Sequence, residues 1–418
     1  MTTEAHRAID AIWRIESARL IAGLARVVRD VGLAEELAQD ALVAALEQWP
    51  DEGVPDNPGA WLMATAKHKA VDRIRRQAMA ERKVVQLGQE LETAPSFDLD
   101  AVAEDEIGDD LLSLIFTACH PVLSADARAA LTLRVVGGLS TEEIARAFLA
   151  PVATIAQRIT RAKRTLAEAH VPFEVPTGPD RAARLGSVLE VVYLIFNEGY
   201  SATAGDDWVR PELCEDALRL GRILGGLAPG ESEVQGLLAL IEIQASRLSA
   251  RVGPDGDPIL LLDQDRTRWD HLLIQRGLAA LTRAERLGLL GPYALQAAIA
   301  ACHARARNAA ETDWARMVAL YDALASLAPS PIVELNRGVA VGMAYGPAAG
   351  LEVIDALVTE PLLRSYYLLP SVRGDLLRKL GRLAEARDEF ERAASLTQNE
   401  RERRLLRRRA RECAAGAA

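Results

Sequence analysis

The segment GLSTEEIARAFLAPVATIAQRITRAKRTLAE, Gly138 to Glu168, decides the fold. Ser140 followed by Glu143 is a capping box: the serine hydroxyl accepts from an early helical amide, and the glutamate reaches back to the serine amide. A short helix follows with Ile144, Ala145 and Phe148 facing inward. After a break at Leu149-Ala150-Pro151, a second helix is expected to begin with Pro151 at its first position, where a missing N–H costs nothing. Along it Ile155, Ile159, Ala162 and Leu166 repeat at helical spacing as one apolar stripe. Thr154, Gln157, Arg158, Arg161 and Arg164 occupy the other side. A capped short helix, a tight turn and a helix with an Arg/Gln/Thr outer face describe a helix-turn-helix. Its glutamine and arginines have the donor geometry to read base edges in a major groove, and its other cations suit phosphates. A plain helical hairpin is the alternative.

Working outward, the chain has 418 residues, half of them hydrophobic, 26% charged and only 5% aromatic, with a net charge of −10. The length suggests two to four domains, and the wealth of Leu, Ala, Arg and Glu favours helices. The chain as a whole is no polycation, so a nucleic-acid role needs local concentrations of positive charge. Cys119, Cys214, Cys302 and Cys413 form no CxxC pair, so neither a zinc ribbon nor a disulfide framework is indicated. Without an apolar leader or an 18-residue uncharged run, a cytoplasmic protein with no membrane association is expected.

Positive charge is concentrated in two places. From Pro151 to Leu166 there are four bases and no acid, and from Lys67 to Lys83 seven bases against Asp72 and Glu81. Asn57-Pro58 reads as the start of the helix carrying the second group, from Gly59 to about Gln77, with Ala66, Ala70 and Ile74 as its buried side. Trp61, Lys67, Lys69, Arg73, Arg75 and Arg76 are left for other faces, an arrangement that suits phosphates and an exposed base. A solvated basic helix with Trp61 in the core is the competing interpretation. The preceding helix, Leu33 to about Trp49, is expected to bury Leu42, Leu46 and Trp49 and to present Glu35, Glu36, Gln39 and Asp40 as an acidic patch. Between Val84 and Ala125 there are nine acidic residues and no Lys or Arg, so the part before Leu111 is expected to be an extended tether. Pro172, Pro176, Gly178 and Pro179 mark a second boundary.

Beyond that boundary no strand alternation appears, and the fold class is all-α. Gly374, Gly381, Ala386, Phe390 and Ala393 carry the small-and-large pattern of a tetratricopeptide (TPR) repeat. Gly346 lies 35 residues before Gly381, and Pro229 and Pro329 are 100 apart, near three 34-residue periods. Only the last repeat is well formed in sequence. Asn197-Glu198-Gly199-Tyr200 reads as a polar helix end with a glycine cap in preference to a ligand pocket. Asp263, Asp265 and Asp270, interleaved with Arg266 and Arg268, read as a salt-bridged loop in preference to paired catalytic carboxylates. Cys119-His120 reads as core, and Arg401 to Arg411 as a solvated terminal helix. Neither a Gly-rich phosphate loop nor a nucleophile motif is present, so no catalytic residue, metal or cofactor is expected.

On these residues the sequence resembles the extracytoplasmic-function (ECF) sigma factors of bacterial RNA polymerase. Ala34-Glu-Glu-Leu-Ala-Gln-Asp-Ala-Leu42 is similar to the family's region 2 helix, which implies that Glu35, Glu36, Gln39 and Asp40 contact the β′ clamp helices of core polymerase. Pro58-Gly-Ala-Trp-Leu62 and Ala66 to Arg76 resemble the part that captures and melts the −10 element. This implies −10 roles for Trp61, Lys67, His68, Lys69, Asp72, Arg73, Arg75 and Arg76. His68 departs from the family's usual Asn. Leu131 to Ala145 and Thr154 to Lys163 resemble region 4, implying a −35 reader made of Thr141, Thr154, Gln157, Arg158, Arg161, Lys163 and Arg164, and a contact with the β flap. Tyr193 to Ala202 and Asp263 to Asp270 resemble the subgroup with a TPR-like C-terminal extension, which implies a protein partner for that part. The resulting expectation is two small helical sigma domains plus a TPR-like α-helical domain. Region 2 would span 1–85, an acidic linker 86–110, region 4 111–170 and the extension 171–418. The function implied is promoter recognition and transcription initiation with core RNA polymerase. A stand-alone helix-turn-helix regulator with a TPR sensor domain is the alternative, and an α-helical hydrolase a more distant one.

Overall fold

Why alanine and not leucine sets the first helical contact is visible at once in a computed structural model, which describes residues 2–85, 107–148, 150–201, 209–288 and 290–416. Helix α1 (Thr2–Val28) packs along α2 (Val31–Glu52), whose start is capped by Asp30 through a 2.8 Å bond from the Leu33 amide. The buried side of α2 is Ala34, Leu37, Ala38, Ala41 and Ala45, ending in Trp49. Leu46 is exposed and Leu42 half-buried, contrary to the expectation that they face the core. Small side chains let two helix axes approach closely, so the alanine stripe outcompetes the larger but sparser leucines.

Helix α3 (Pro58–Val85) starts where the sequence indicates, with the Asn57 side chain accepting from the Ala60 amide at 3.0 Å, and continues beyond Gln77. Ala66 and Ala70 are buried. The side chains from Asp72 to Val85, Ile74 included, lie outside the described residues, as does the 86–106 part of the acidic stretch. Helix α4 (Ile107–Ala118) already includes Asp109 and Asp110, so the end of that stretch is helical, not extended. Acids are favoured in a first helical turn, and Asp110 is buried 3.4 Å from Arg26 of α1.

Helices α5 (Ala125–Val135), α6 (Thr141–Ala147) and α7 (Val152–Glu168) form a helix-turn-helix behind which α8 (Gly178–Tyr200) begins. Pro151 is the capping residue of α7, one position earlier than expected. Gly138, with φ +72°, makes the turn into α6, and a Cβ there would meet the Ser17 hydroxyl at 2.8 Å. The first part of α8 is tied down by Arg184, which donates to the Phe116 carbonyl at 3.1 Å, and by Ser187, which donates to the Cys119 carbonyl at 2.6 Å.

The chain divides into two compact units, 1–191 and 192–418. The second continues from α8 through α9 (Pro211–Leu227), α10 (Ser232–Ala245), α11 (His271–Leu287), α12 (Pro292–Arg305), α13 (Trp314–Leu327), α14 (Pro331–Tyr345), α15 (Pro347–Asp355), α16 (Leu368–Lys379), α17 (Leu383–Leu396) and α18 (Glu400–Gly416). Successive helices pack on one another, the TPR-like arrangement in which each pair buries its neighbour's apolar face. In the last pair Gly374 admits the Phe390 ring, and Ala386, Phe390 and Ala393 are fully buried. Earlier helices keep the spacing with different small residues. Ala228 and Ala328, each followed by proline, end α9 and α13 with the same 2.8 Å bond to a leucine carbonyl, and Gly350 and Gly342 bring α15 onto α14.

Three sequence expectations change here. Gly199 is not a cap: it lies inside α8, where a Cβ would stand 2.8 Å from Leu213 and the Cys214 amide, so it permits close helix approach. The 263–270 loop is built on turns instead of internal salt bridges. Asp265 accepts from the Thr267 amide and hydroxyl, Asp270 caps α11, and Arg268 donates to the Ser249 carbonyl. The terminal helix α18 is only half solvated, since Leu406, Ala410 and Cys413 enter the core while Arg401, Arg404 and Arg408 surround Asp257 at 3.4–3.7 Å.

Candidate nucleic-acid interface

The capping box that opens α6 is formed in both directions: Glu143 N to Ser140 Oγ at 3.1 Å, and Ser140 N to Glu143 Oε2 at 2.8 Å. With α6 anchored through its own Ile144, which is 0% exposed, and α7 fixed by its buried stripe, the remaining face of α7 is set in space. Thr154, Gln157, Arg161 and Arg164 are exposed on it. Thr154, Gln157, Arg158 and Arg161 line a cleft of 380 Å³ that also takes in Ser124, the cap of α5. Asp126 holds Arg158 at 3.3 Å, which orients that guanidinium beside the cleft. Arg164 pairs along its own helix with Glu168 at 3.4 Å, a solvated contact of little energetic weight. Thr141 is half-buried at the start of α6.

On α3, His68 is exposed and Lys67 half-buried. Lys69 donates to the Asp40 carbonyl at 2.7 Å, joining α3 to α2. Trp61 is half-buried with its ring edge-on to Trp49, 5.2 Å between centroids, so the indole is oriented by the core while one side faces outward. The side chains of Asp72, Arg73, Arg75 and Arg76 lie outside the described residues.

The four acidic-patch residues of α2 separate. Glu36 and Asp40 are exposed, but Glu35 is 4% exposed. Its carboxylate accepts from Arg134 Nε of α5 at 2.8 Å, from Lys163 Nζ of α7 and from Gln39 on its own helix. Arg134 also donates to the Leu139 carbonyl at 3.0 Å. Burial by itself raises the Glu35 carboxyl, but the charges of Lys163 and Arg134 and their hydrogen bonds outweigh it and hold the group below the usual carboxylate range. Sequence reasoning missed Arg134 altogether. An ion pair spanning 99 residues leaves no local pattern, and only its position one turn before the Gly137-Gly138 break hinted at a fixed role. Arg14 of α1 and Glu143 of α6 add a second, exposed pair at 2.6 Å.

Among the described residues no group of three or more His, Cys, Asp or Glu is placed to hold a metal ion, and no helix is long and apolar enough to cross a membrane. All four cysteines are free thiols in buried positions. Burial pushes the Cys119 thiol up to about 12, with Thr132 Oγ1 3.3 Å away, which makes it an inert core group.

Family models add to this geometry. The one described as Sigma-70 region 2 matches residues 15–79, the one described as Sigma-70, region 4 matches 113–166, and a family of unknown function, DUF6596, matches 184–285. An uncharacterized protein of Rhizobium meliloti (strain 1021) is 44% identical over 385 residues, covering 92% of this chain and 90% of its own. The ECF RNA polymerase sigma factor SigK of Mycobacterium tuberculosis (strain ATCC 25618 / H37Rv) is 32% identical over 147 residues, 34% of this chain and 74% of its own. Among solved structures the yeast Tom70 aligns over 93% of this chain and 82% of its own, with 12% identity and a TM-score of 0.32. The N-terminal helices thus carry both sigma regions, and the similarity to SigK spans most of that protein: the chain belongs to the ECF RNA polymerase sigma factors, with a TPR-like C-terminal extension.

Proposed function

We propose that this chain binds core RNA polymerase and directs it to promoters through both sigma regions. The observation that carries this reading is the face of α7, where Thr154, Gln157 and Arg161 stand exposed on a helix held rigidly from behind. In this reading that face, with Thr141, Arg158, Lys163 and Arg164, docks at the −35 element, and the region reaches the β flap. Trp61, Lys67, His68, Lys69 and the following Asp72, Arg73, Arg75 and Arg76 engage the −10 element, with Trp61 presented for stacking on an unpaired base. The exposed acids Glu36 and Asp40, with Glu35 and Gln39, meet the β′ clamp helices. Since Glu35 and Lys163 hold one another, full use of both requires the two sigma regions to part, leaving each charge for an intermolecular partner. The division into region 2 (1–85), acidic linker (86–110), region 4 (111–170) and extension (171–418) belongs to this proposal, as do a cytoplasmic location, a non-enzymatic role and regulation through a protein partner of the extension.

Run-off transcription with purified core polymerase, with and without the protein, tests the proposal. The protein is expected to confer initiation at defined start sites, and Glu36→Lys with Asp40→Lys to abolish it while leaving binding to duplex DNA in place. A stand-alone helix-turn-helix regulator would bind its operator without polymerase and be indifferent to this charge reversal. Failure of the wild-type chain to associate with core polymerase overturns the proposal.

A further inference from the structure

Two motifs that stood out in the sequence, Asn197 to Tyr200 and Asp263 to Asp270, converge in the second unit on a group of arginines. The Tyr200 ring lies 3.6 Å from the Arg251 guanidinium and 5.9 Å from that of Arg247. The Trp269 ring lies 5.8 Å from Arg247 and 4.7 Å from Arg266. Arg247, Arg251, Trp269 and His303 are all more than nine-tenths buried. The outer two arginines have evident structural work. Arg251 donates to the Tyr200 carbonyl at 2.9 Å, and Arg266 to the His303 and Ala306 carbonyls at 2.6 and 2.7 Å, placing both at the negative C-terminal ends of α8 and α12.

Arg247, between them, has no such partner. Its side chain makes no hydrogen bond and no ion pair among the described residues, and its Nε is fully enclosed. Arg266 Nη2 and Trp269 Nε1 are likewise buried without an acceptor. A buried donor without an acceptor costs roughly 1–3 kcal/mol and is rare in folded proteins. Three of them adjoin here in a positive field, where Glu311 acts on Arg266 only through space. What the three lack in common is an acceptor carrying negative charge. The planar guanidinium fork is built to meet carboxylate or phosphate oxygens.

We infer that this cluster is a binding site for a small oxyanion, the phosphate or carboxylate group of a low-molecular-weight ligand, held by Arg247 between the faces of Tyr200 and Trp269. The burial excludes a duplex backbone, whose phosphates cannot reach side chains under 10% exposed. His303, unpartnered at Nδ1, adds a neutral polar group beside the anion. The site lies outside the promoter-reading surfaces, and its occupation is measured without DNA or polymerase, so it stands or falls apart from the sigma reading.

Equilibrium dialysis of the full chain against radiolabelled inorganic phosphate, at constant ionic strength in chloride and with succinate as carboxylate competitor, tests it. The wild type is expected to bind one phosphate, or one succinate, per chain. Arg247→Met is expected to weaken that event about tenfold or more, Arg247→Lys to weaken it less, and Arg161→Ala on α7 to leave it unchanged. Should Arg247→Met lose its helical circular dichroism, Arg247→Lys decides the matter. Failure of the wild type to bind either anion overturns the inference, as does equal binding by wild type and Arg247→Lys.

Discussion

Glu35 and Arg247 are both buried charges, and the protein treats them in opposite ways. At Glu35 one acid is shared by two cations from distant parts of the first unit, and every bond closes within the chain. At Arg247 the neighbouring guanidinium of Arg266 adds positive charge, no hydrogen bond or ion pair reaches the Arg247 side chain among the described residues, and donors are left over. A buried charge with its counter-charge acts as a fastener, because removing either member strands the other in a low-dielectric surrounding. A buried charge without one marks a place where the fold retains electrostatic free energy that an external acceptor can release.

The largest test of that contrast is at the fastener. Glu35→Gln leaves Lys163 and Arg134 facing a neutral amide, and a loss of about 3 kcal/mol is expected in chemical denaturation of residues 1–191 within the full chain. The same carboxylate predicts an acid response. Its pKa is lowered in the fold, so its contribution is complete above about 4.5, the unfolded value, and disappears as pH falls through the lower folded one. A Glu35→Gln chain as stable as the wild type at pH 7 would show that the pair is not a fastener.

A smaller effect is expected beside the arginine cluster. Burial first, and then the charges of Arg247 and Arg266, bring His303 down to about 3 from an ordinary 6.5. The folded state therefore resists protonation: the contribution of neutral His303 is complete above about 6.5 and is lost as pH drops toward 3. Between pH 7 and 4.5 the wild type is expected to lose about 2 kcal/mol more than His303→Gln. Equal losses in denaturant midpoint would remove the histidine from the account.

Arg161 supplies the reference for a solvated cation, and the smallest effect on folding. Arg161→Ala is expected to change stability by less than about 0.5 kcal/mol while lowering the salt dependence of DNA binding by about one counter-ion. A melting temperature shift of several degrees would mean that the outer face of α7 is structural.

The helix-turn-helix was legible because its determinants are local. A capping box and a four-residue apolar stripe each act through nearby turns of chain and appear as read, while Pro151 marks the start of α7 from the cap and not from the first helical position. The inward face of α2 was misread because leucines dominate any hydrophobic count, whereas packing against α1 selects the stripe that permits the closest approach. Gly199 was misread for a related reason: a glycine at a polar helix end signals a cap until the neighbouring helix, here Leu213 and Cys214, is known to lie against it. The basic faces were legible as charge runs, but which cations remain exposed was not, since Lys163 and Lys69 find partners 128 and 29 residues away.

The sequence by itself therefore determined the all-helical class, the two cationic modules, the sigma resemblance and the last TPR-like pair, since each rests on periodicity or capping within one helix or one turn. The tertiary structure alone decided that Glu35 is buried between Arg134 and Lys163, that α18 is half core, and that half-buried Tyr200 and Arg266 meet buried Arg247 and Trp269. Burial and long-range charge pairing depend on which helices meet, and no local pattern in a chain of like-looking amphipathic helices encodes that choice.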